Sequence, residues 1–172
     1  AHLMAHEEEH FESPQIIKDV VIGMADGLTV PFALAAGLSG AVDTTGIVIT
    51  AGLAEIAAGS IAMGLGGYLA GRTEVDHYKS ELEREYMEVK EFPEKEKMEV
   101  VEVLEQFGVS NASSKEIVNE MSKDHDKWVK FMMRFELGLE KPDEKRASRS
   151  ALNIGVAYIV GGLVPLAPYF FI

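Results

Sequence analysis

Two acidic side chains interrupt long apolar stretches in the first half of the chain. Asp26 lies within the apolar run 20–38, and Glu55 lies within the run 46–70, which is rich in small residues. A charged side chain at the centre of a bilayer costs about 2.5 kcal/mol or more, so acids at such positions usually mark an ion or proton route. A hydrogen bond to a neighbouring helix is the alternative explanation for Asp26.

Met63 adds a thioether at the depth that we expect for Asp26. If the two apolar runs form antiparallel helices, Asp26 and Met63 each lie about six residues, or about 9 Å, from the same face of the membrane. Glu55 then lies about 12 Å further along the second helix. A carboxylate and a thioether at one depth, with a second carboxylate beyond them, predict a path for a divalent metal ion.

Glutamates also fall on the predicted inward faces of helices between residues 73 and 150. A rotation of about 100° per residue places Glu85, Glu96 and Glu136 among apolar residues of three successive helices. Glu88 and Glu99 lie at the borders of the first two faces. Carboxylates are rarely buried unless they are paired or bind a metal ion, so these residues are candidate metal ligands.

Two methionines lie on the third of these faces, with Met132 inside it and Met133 at its margin. Oxygen ligands suit hard divalent ions, and thioethers favour softer transition metals. We expect His125, on the same face, to be a packed core histidine. The alternative to a metal site is a set of salt bridges, for which the candidate partners are Lys79, Lys95, Lys97 and Lys130.

The elements that carry these residues predict an all-α membrane protein. About 20 apolar residues cross the hydrocarbon core of a bilayer, and the runs 20–38, 46–70 and 151–172 are long enough. Lysine and arginine flank these runs on the side of the charged segment, so the N-terminus and that segment are predicted to be cytosolic. The predicted divisions are an N-terminal tail at 1–15, two transmembrane helices within 16–72, a cytosolic metal-binding insert at 73–150 and a third transmembrane helix at 151–172.

The insert is predicted to contain three helices. The first continues from the second span to about Glu91, because Pro93 stops it. The second begins at Pro93 and ends before Gly108. The third begins at a capping box formed by Ser113 and Glu116 and continues to about residue 138.

Composition excludes several classes of function. The chain has no cysteine, which excludes thiolate metal sites and disulfides. Its net charge of −12 argues against a nucleic-acid partner. The insert has no Glu-x-x-His pair, which argues against a di-iron carboxylate enzyme.

Three segments of the chain resemble signatures of the vacuolar iron transporter family. The first-span signature resembles IKDVVIGMADGLTVPFALAAGLSGAV, and the second-span signature resembles GLAEIAAGSIAMGLGGYLAGRTEVDHY. The cytosolic metal-binding domain of the family resembles EREYMEVKEFPEKEKMEVVEVLEQFGV. The resemblance extends from about Pro14 to the last residue.

The resemblance implies a Fe²⁺/H⁺ antiporter of the vacuolar membrane rather than an enzyme. Such a protein moves ferrous iron from the cytosol into the vacuole and works as a homodimer. Zn²⁺, Co²⁺, Mn²⁺ and Ni²⁺ are alternative substrates. The family has five spans, so two further spans are expected after Ile172. A membrane-tethered iron buffer or sensor is the alternative function.

The resemblance also assigns roles to residues. The positions that match the translocation route are Asp26, Glu55 and Met63. Those that match the cytosolic metal sites are Glu85, Glu88, Glu96, Glu99, Glu136, Met132 and Met133.

Overall fold

The structure is a computed structural model that describes residues 13–171. In chain order its elements are α1 (Ser13–Ser39), α2 (Thr45–Glu91), α3 (Pro93–Gln106), α4 (Asn111–Met121), α5 (His125–Phe135), α6 (Arg146–Leu166) and a short 3₁₀ helix (Ala167–Phe170). No β-strand occurs between residues 13 and 171, so the prediction of an all-α protein is confirmed for this part. The tail predicted at 1–15 lies almost entirely outside the described residues.

Three of the helices are long and apolar enough to cross a membrane. The candidate spans are Pro14–Ser39, Thr45–Glu91 and Arg146–Phe170, which confirms the three predicted apolar runs. The helix α2 has 47 residues, so at 1.5 Å per residue it is about 70 Å long, more than twice a hydrocarbon core of about 30 Å. Only its apolar half, before Arg72, fits the requirements of a span.

The chain divides into two compact units. One comprises Arg72–Glu144, and the other combines residues 13–71 with residues 145–171. In the second of these units, α1 packs closely against α6. Gly23 and Gly27 allow this approach, because a Cβ atom at either position would collide with a backbone carbonyl oxygen of α6. Small residues at such crossings are the usual way in which membrane helices come close.

Hydrogen bonds join α1 to the C-terminal part of the chain near both ends of α1. The Ser150 hydroxyl donates to Asp19 Oδ1 at 2.9 Å. The Ser39 hydroxyl donates to the Tyr169 hydroxyl at 2.8 Å. These two bonds fix the register of α1 against the C-terminal helices.

In the unit Arg72–Glu144, proline and glycine set the bounds of α3 as predicted. The helix α2 ends at Glu91, and Pro93 opens α3 in the favoured first-turn position. Beyond the end of α3, Gly108 has a φ of 86°, a backbone conformation that glycine adopts without strain.

The prediction of one long third helix in the insert is wrong. Two helices, α4 and α5, replace it, and a short turn over residues 122–124 separates them. The Asp124 side chain ends the turn by accepting a hydrogen bond from the Lys127 amide at 3.2 Å, which caps α5. The unit Arg72–Glu144 therefore contains four helical segments rather than three, namely the charged half of α2 with α3, α4 and α5.

The predicted capping box is also wrong. The cap of α4 is Ser110, whose hydroxyl oxygen accepts from the Ser113 amide at 3.3 Å. Glu116 is exposed in the second turn of α4.

The helices of this unit pack around an apolar core, which consists of Val89, Val100, Val101, Val118, Trp128, Val129, Met132 and Met133.

Candidate metal centre and membrane carboxylates

Three glutamates converge where α3 follows α2. Glu85 and Glu88 lie one turn apart near the end of α2, and Glu96 lies in the first turn of α3. One carboxylate oxygen from each of the three lies within 4.8 Å of the others. Glu85 and Glu96 are each only 1% exposed, and Glu88 is half-buried. The sequence prediction that these side chains face inward is confirmed for Glu85 and Glu96.

Several oxygens of these carboxylates are buried without a hydrogen bond. Among the described residues, neither side-chain oxygen of Glu96 has a hydrogen-bond partner, and Glu85 Oε2 has none. A buried polar atom without a partner costs free energy, and a buried charge without a counter-charge costs more. The arrangement therefore offers oxygen ligands to a cation.

The carboxylates raise one another's pKa values. Burial, followed by the charge of Glu136, raises the pKa of Glu85 to about 7. Burial, followed by the charge of Glu99, raises the pKa of Glu96 to about 7. The prediction that Glu136 faces inward is wrong, because it is exposed at the C-cap of α5. Partial desolvation and then the charge of Glu99 still raise its pKa to about 7. Glu88 contributes to all three shifts, so the five predicted acidic ligands are close enough to interact.

Arg84 lies on the exposed side of this cluster. Its guanidinium nitrogens are 2.7 Å from Glu81 Oε2, 3.6 Å from Glu88 Oε2 and 3.8 Å from Glu85 Oε1. The sequence analysis did not identify Arg84 as a partner. Its position one residue before Glu85 on α2 was the available signal.

Lys95 approaches the cluster from α3. Its ammonium nitrogen is 2.8 Å from Glu99 Oε1 and 3.8 Å from Glu96 Oε1. The salt-bridge alternative is therefore partly confirmed for Lys95. The other candidates are elsewhere: Lys79 pairs with Glu144, Lys97 pairs with Glu94, and Lys130 is exposed.

The two methionines lie in the apolar core. Met132 is fully buried and Met133 is 2% exposed, and both pack in the cluster that contains Trp128. This placement agrees with their prediction on the inward side of the insert, and their role as ligands stays a prediction. The expectation for His125 is wrong, because it is exposed at the start of α5, where its ring and that of Trp128 form a T-shaped pair.

Glu55 receives a hydrogen bond that the sequence analysis missed. The hydroxyl of Tyr158, on α6, donates to Glu55 Oε1. Gly59, one turn after Glu55, leaves the space for this hydroxyl, since a Cβ atom there would overlap the tyrosine ring. Glu55 Oε2 is buried and has no hydrogen-bond partner among the described residues. A tyrosine inside an uncharged span was the only signal, because a buried tyrosine hydroxyl usually has a partner.

Asp26 and Met63 have less defined surroundings. Asp26 is exposed on α1. Met63 is half-buried on α2, two turns after Glu55. Its predicted pairing with Asp26 stays a prediction.

Comparison with known proteins identifies the family. A model described as the VIT family matches residues 17–172. The protein named vacuolar iron transporter 1 of Tulipa gesneriana is 55% identical over 170 residues, which are 99% of this chain and 69% of that relative. The protein of the same name in Arabidopsis thaliana is 55% identical over 167 residues, 97% of this chain and 67% of that relative.

A fungal protein shows that the likeness extends beyond plants. Protein CCC1 of Saccharomyces cerevisiae is 42% identical over 162 residues, which are 92% of this chain and 50% of that protein. The chain thus spans about two thirds of the length of the plant relatives and half of the yeast protein. The chain belongs to the VIT family, the family of vacuolar iron transporters whose signatures its sequence resembles.

Proposed function

We propose that this protein moves ferrous iron from the cytosol into the vacuole. The observation that carries the proposal is the set of carboxylate oxygens of Glu85, Glu88 and Glu96, which lie within 4.8 Å of one another. Relatives named vacuolar iron transporters, over half identical to this chain, support the choice of iron and of the vacuole. Three helices that are long and apolar enough to span a bilayer support membrane transport.

In this proposal the acidic cluster of α2 and α3 captures the ion on the cytosolic side. A divalent ion replaces protons on Glu85 and Glu96, because carboxylates must be deprotonated to bind a metal ion. Glu99 and Glu136 complete the oxygen ligands, and Met132 and Met133 contribute thioether sulfurs that favour a transition metal over Mg²⁺ or Ca²⁺. Mn²⁺, Co²⁺, Zn²⁺ and Ni²⁺ accept the same ligands and compete with Fe²⁺.

The membrane helices supply the route of the ion in the proposal. The ion passes Asp26 and Met63 and then Glu55, and a proton moves in the opposite direction. The Tyr158 hydroxyl holds one oxygen of Glu55 and leaves the second oxygen for the ion. An acidic vacuole reprotonates Glu55 and thereby releases the ion, which makes the protein a Fe²⁺/H⁺ antiporter. The active form is a homodimer, with the N-terminus and the insert in the cytosol.

Flux into liposomes tests this proposal. We expect the reconstituted full-length protein to take up Fe²⁺ with a rate that depends on a pH gradient. Asp26→Ala should abolish the flux because it removes a carboxylate from the route, and metal binding to the insert should persist. Asp43→Ala is the matched control, because Asp43 is exposed in the loop between α1 and α2. Equal flux in both variants would contradict the proposed route.

A membrane-tethered iron buffer or sensor is the second candidate. One observation favours it: the whole acidic cluster lies within the unit Arg72–Glu144, so binding does not require the spans. Metal binding without any flux would establish the buffer and exclude the transporter. Flux that follows the pH gradient would exclude the buffer.

A further inference from the structure

We infer that Arg84 and Lys95 are resident counter-cations of the acidic cluster. They offset part of its negative charge in the metal-free state and compete with the incoming divalent ion, so they weaken metal binding and favour release of the ion. This inference rests on the proposed function of the cluster as a metal site. It assigns a regulatory role to two basic residues that are not themselves metal ligands.

The first argument is that each cation reaches a buried glutamate from the solvent side. The Arg84 side chain is 46% exposed, and that of Lys95 is 67% exposed. Each makes its short contact with a partly exposed glutamate, Arg84 with Glu81 at 2.7 Å and Lys95 with Glu99 at 2.8 Å. Their contacts with Glu85 and Glu96, the two fully buried carboxylates, are both 3.8 Å long.

The second argument is that these cations leave the interior of the cluster unsatisfied. Both oxygens of Glu96 and one of Glu85 are buried and have no hydrogen-bond partner in the described part of the chain. A guanidinium or ammonium group at the rim reduces the repulsion among the carboxylates and does not fill this space. A small divalent ion can enter it and bind these oxygens directly.

The third argument concerns the exchange of one cation for another. Arg84 and Lys95 are long, exposed side chains, and exposed ion pairs contribute only about 0–1 kcal/mol each. Both side chains can therefore withdraw into water at little cost when a metal ion binds. As long as they remain, their charges repel the ion.

Metal affinity tests the inference. We would measure the Kd of the purified protein for Mn²⁺ by isothermal titration calorimetry at low ionic strength. Arg84→Gln and Lys95→Gln should each tighten binding, by about three- to tenfold for the loss of one positive charge several ångströms from a divalent ion. The gain should shrink at high salt, which screens exposed charges. Arg84→Lys, which keeps the charge, should keep the wild-type affinity.

Lys123→Gln is the matched control. It removes one positive charge from the same unit, but Lys123 pairs with the exposed Glu120. It should leave the Kd unchanged. An equal gain in Lys123→Gln would overturn the inference, because net charge alone would then explain the effect.

A further variant separates failure of the inference from failure of the proposed function. Glu96→Gln should weaken Mn²⁺ binding. If the wild-type protein binds Mn²⁺ and neither Arg84→Gln nor Lys95→Gln binds it more tightly, the inference alone is overturned. Equal affinity of the wild type and Glu96→Gln would overturn the metal site itself. Should a basic-residue variant not fold, a Mn²⁺-bound structure of the wild type decides. We expect the Arg84–Glu88 and Lys95–Glu99 separations to exceed the roughly 4 Å limit of an ion pair, and unchanged separations would overturn the inference.

Discussion

The acidic cluster of the insert and the carboxylates of the membrane helices are stabilised by different kinds of partner. In the insert, several carboxylates stand together, and two basic side chains at the rim offset part of their charge. In the membrane helices, Glu55 has a neutral partner, the hydroxyl of Tyr158. Both sites retain buried carboxylate oxygens that have no hydrogen-bond partner between residues 13 and 171.

The difference follows from the surroundings of each site. Near water, a lysine or arginine can stabilise a carboxylate and still keep its charge hydrated. Within a bilayer, a second charged group would add its own desolvation cost, so a hydroxyl is the less costly partner. The comparison teaches that the cluster is suited to exchange of cations and that the Glu55 site is suited to a single carboxylate whose second oxygen stays available.

The largest effect is expected from removing the buried charges of the cluster. Glu85→Gln combined with Glu96→Gln should weaken Mn²⁺ binding about a hundredfold, which corresponds to about 2.7 kcal/mol. Calorimetric titration of the purified protein measures it. Glu83→Gln combined with Glu102→Gln is the control, since both residues are exposed on the same two helices. Similar losses of Mn²⁺ affinity in the two double variants would show that the cluster binds the ion no better than exposed carboxylates do.

The next effect is a pH dependence of stability that comes from the acidic cluster. The pKa values of Glu85, Glu96 and Glu136 are about 7 in the folded protein, against 4.5 for an ordinary glutamate. The folded state therefore binds more protons than the unfolded state between these values. The stability due to these groups is complete below pH 4.5 and decreases as the pH rises through 7.

Chemical denaturation of the metal-free protein measures this dependence. From pH 5 to pH 8 the free energy of unfolding should fall by about 2 kcal/mol, since one pKa unit is worth about 1.4 kcal/mol and solvent screens part of the effect. The double variant Glu85→Gln with Glu96→Gln should show a smaller decrease. An identical decrease in the variant would show that these carboxylates do not cause it.

A smaller effect is expected at the membrane carboxylate. Tyr158→Phe removes the hydroxyl that donates to Glu55, so the free energy of unfolding should fall by about 1.5 kcal/mol, the low end for a hydrogen bond to a charged group. Thermal unfolding in detergent and Fe²⁺ flux measure the change, and flux should decrease. Tyr169→Phe is the control, because within residues 13–171 that hydroxyl accepts a hydrogen bond only from Ser39, far from Glu55 in the sequence. Equal losses of flux in Tyr158→Phe and Tyr169→Phe would show that the contact between Tyr158 and Glu55 has no specific role in transport.

The smallest effect separates the stability of the insert from its metal binding. Ser110→Ala should cost about 1 kcal/mol, because Ser110 caps α4, and the Kd for Mn²⁺ should stay unchanged. Ser113→Ala should cost less, since its side chain does not cap the helix. The reverse order of the two losses, measured by chemical denaturation, would restore the capping box at Ser113.

The sequence predicted the spans and the bounds of α3 because local signals determine them. Length and apolar composition identify a span, and Pro93 and Gly108 limit a helix through backbone geometry alone. The break between α4 and α5 was missed because the apolar periodicity continues across it. Only the side-chain cap from Asp124 shows where the second helix begins.

The site was predicted less completely than the spans. Helical periodicity identified Glu85 and Glu96 as inward carboxylates, because a position on a helix face depends on the residue number alone. Lys95 was one of four candidate salt-bridge partners, and the contacts of Arg84 and Tyr158 were not predicted. They depend on how far a side chain reaches and on which helix packs next to it.

The sequence by itself determined that this chain has three apolar helices, a charged helical insert and carboxylates on inward faces. Its motifs also determined the family. The tertiary structure decided which oxygens of Glu85, Glu96 and Glu55 stay without a hydrogen bond and which donors approach the others. The physical reason is that burial and pairing depend on contacts between helices far apart in the sequence, whereas apolar length and helical periodicity are properties of one segment.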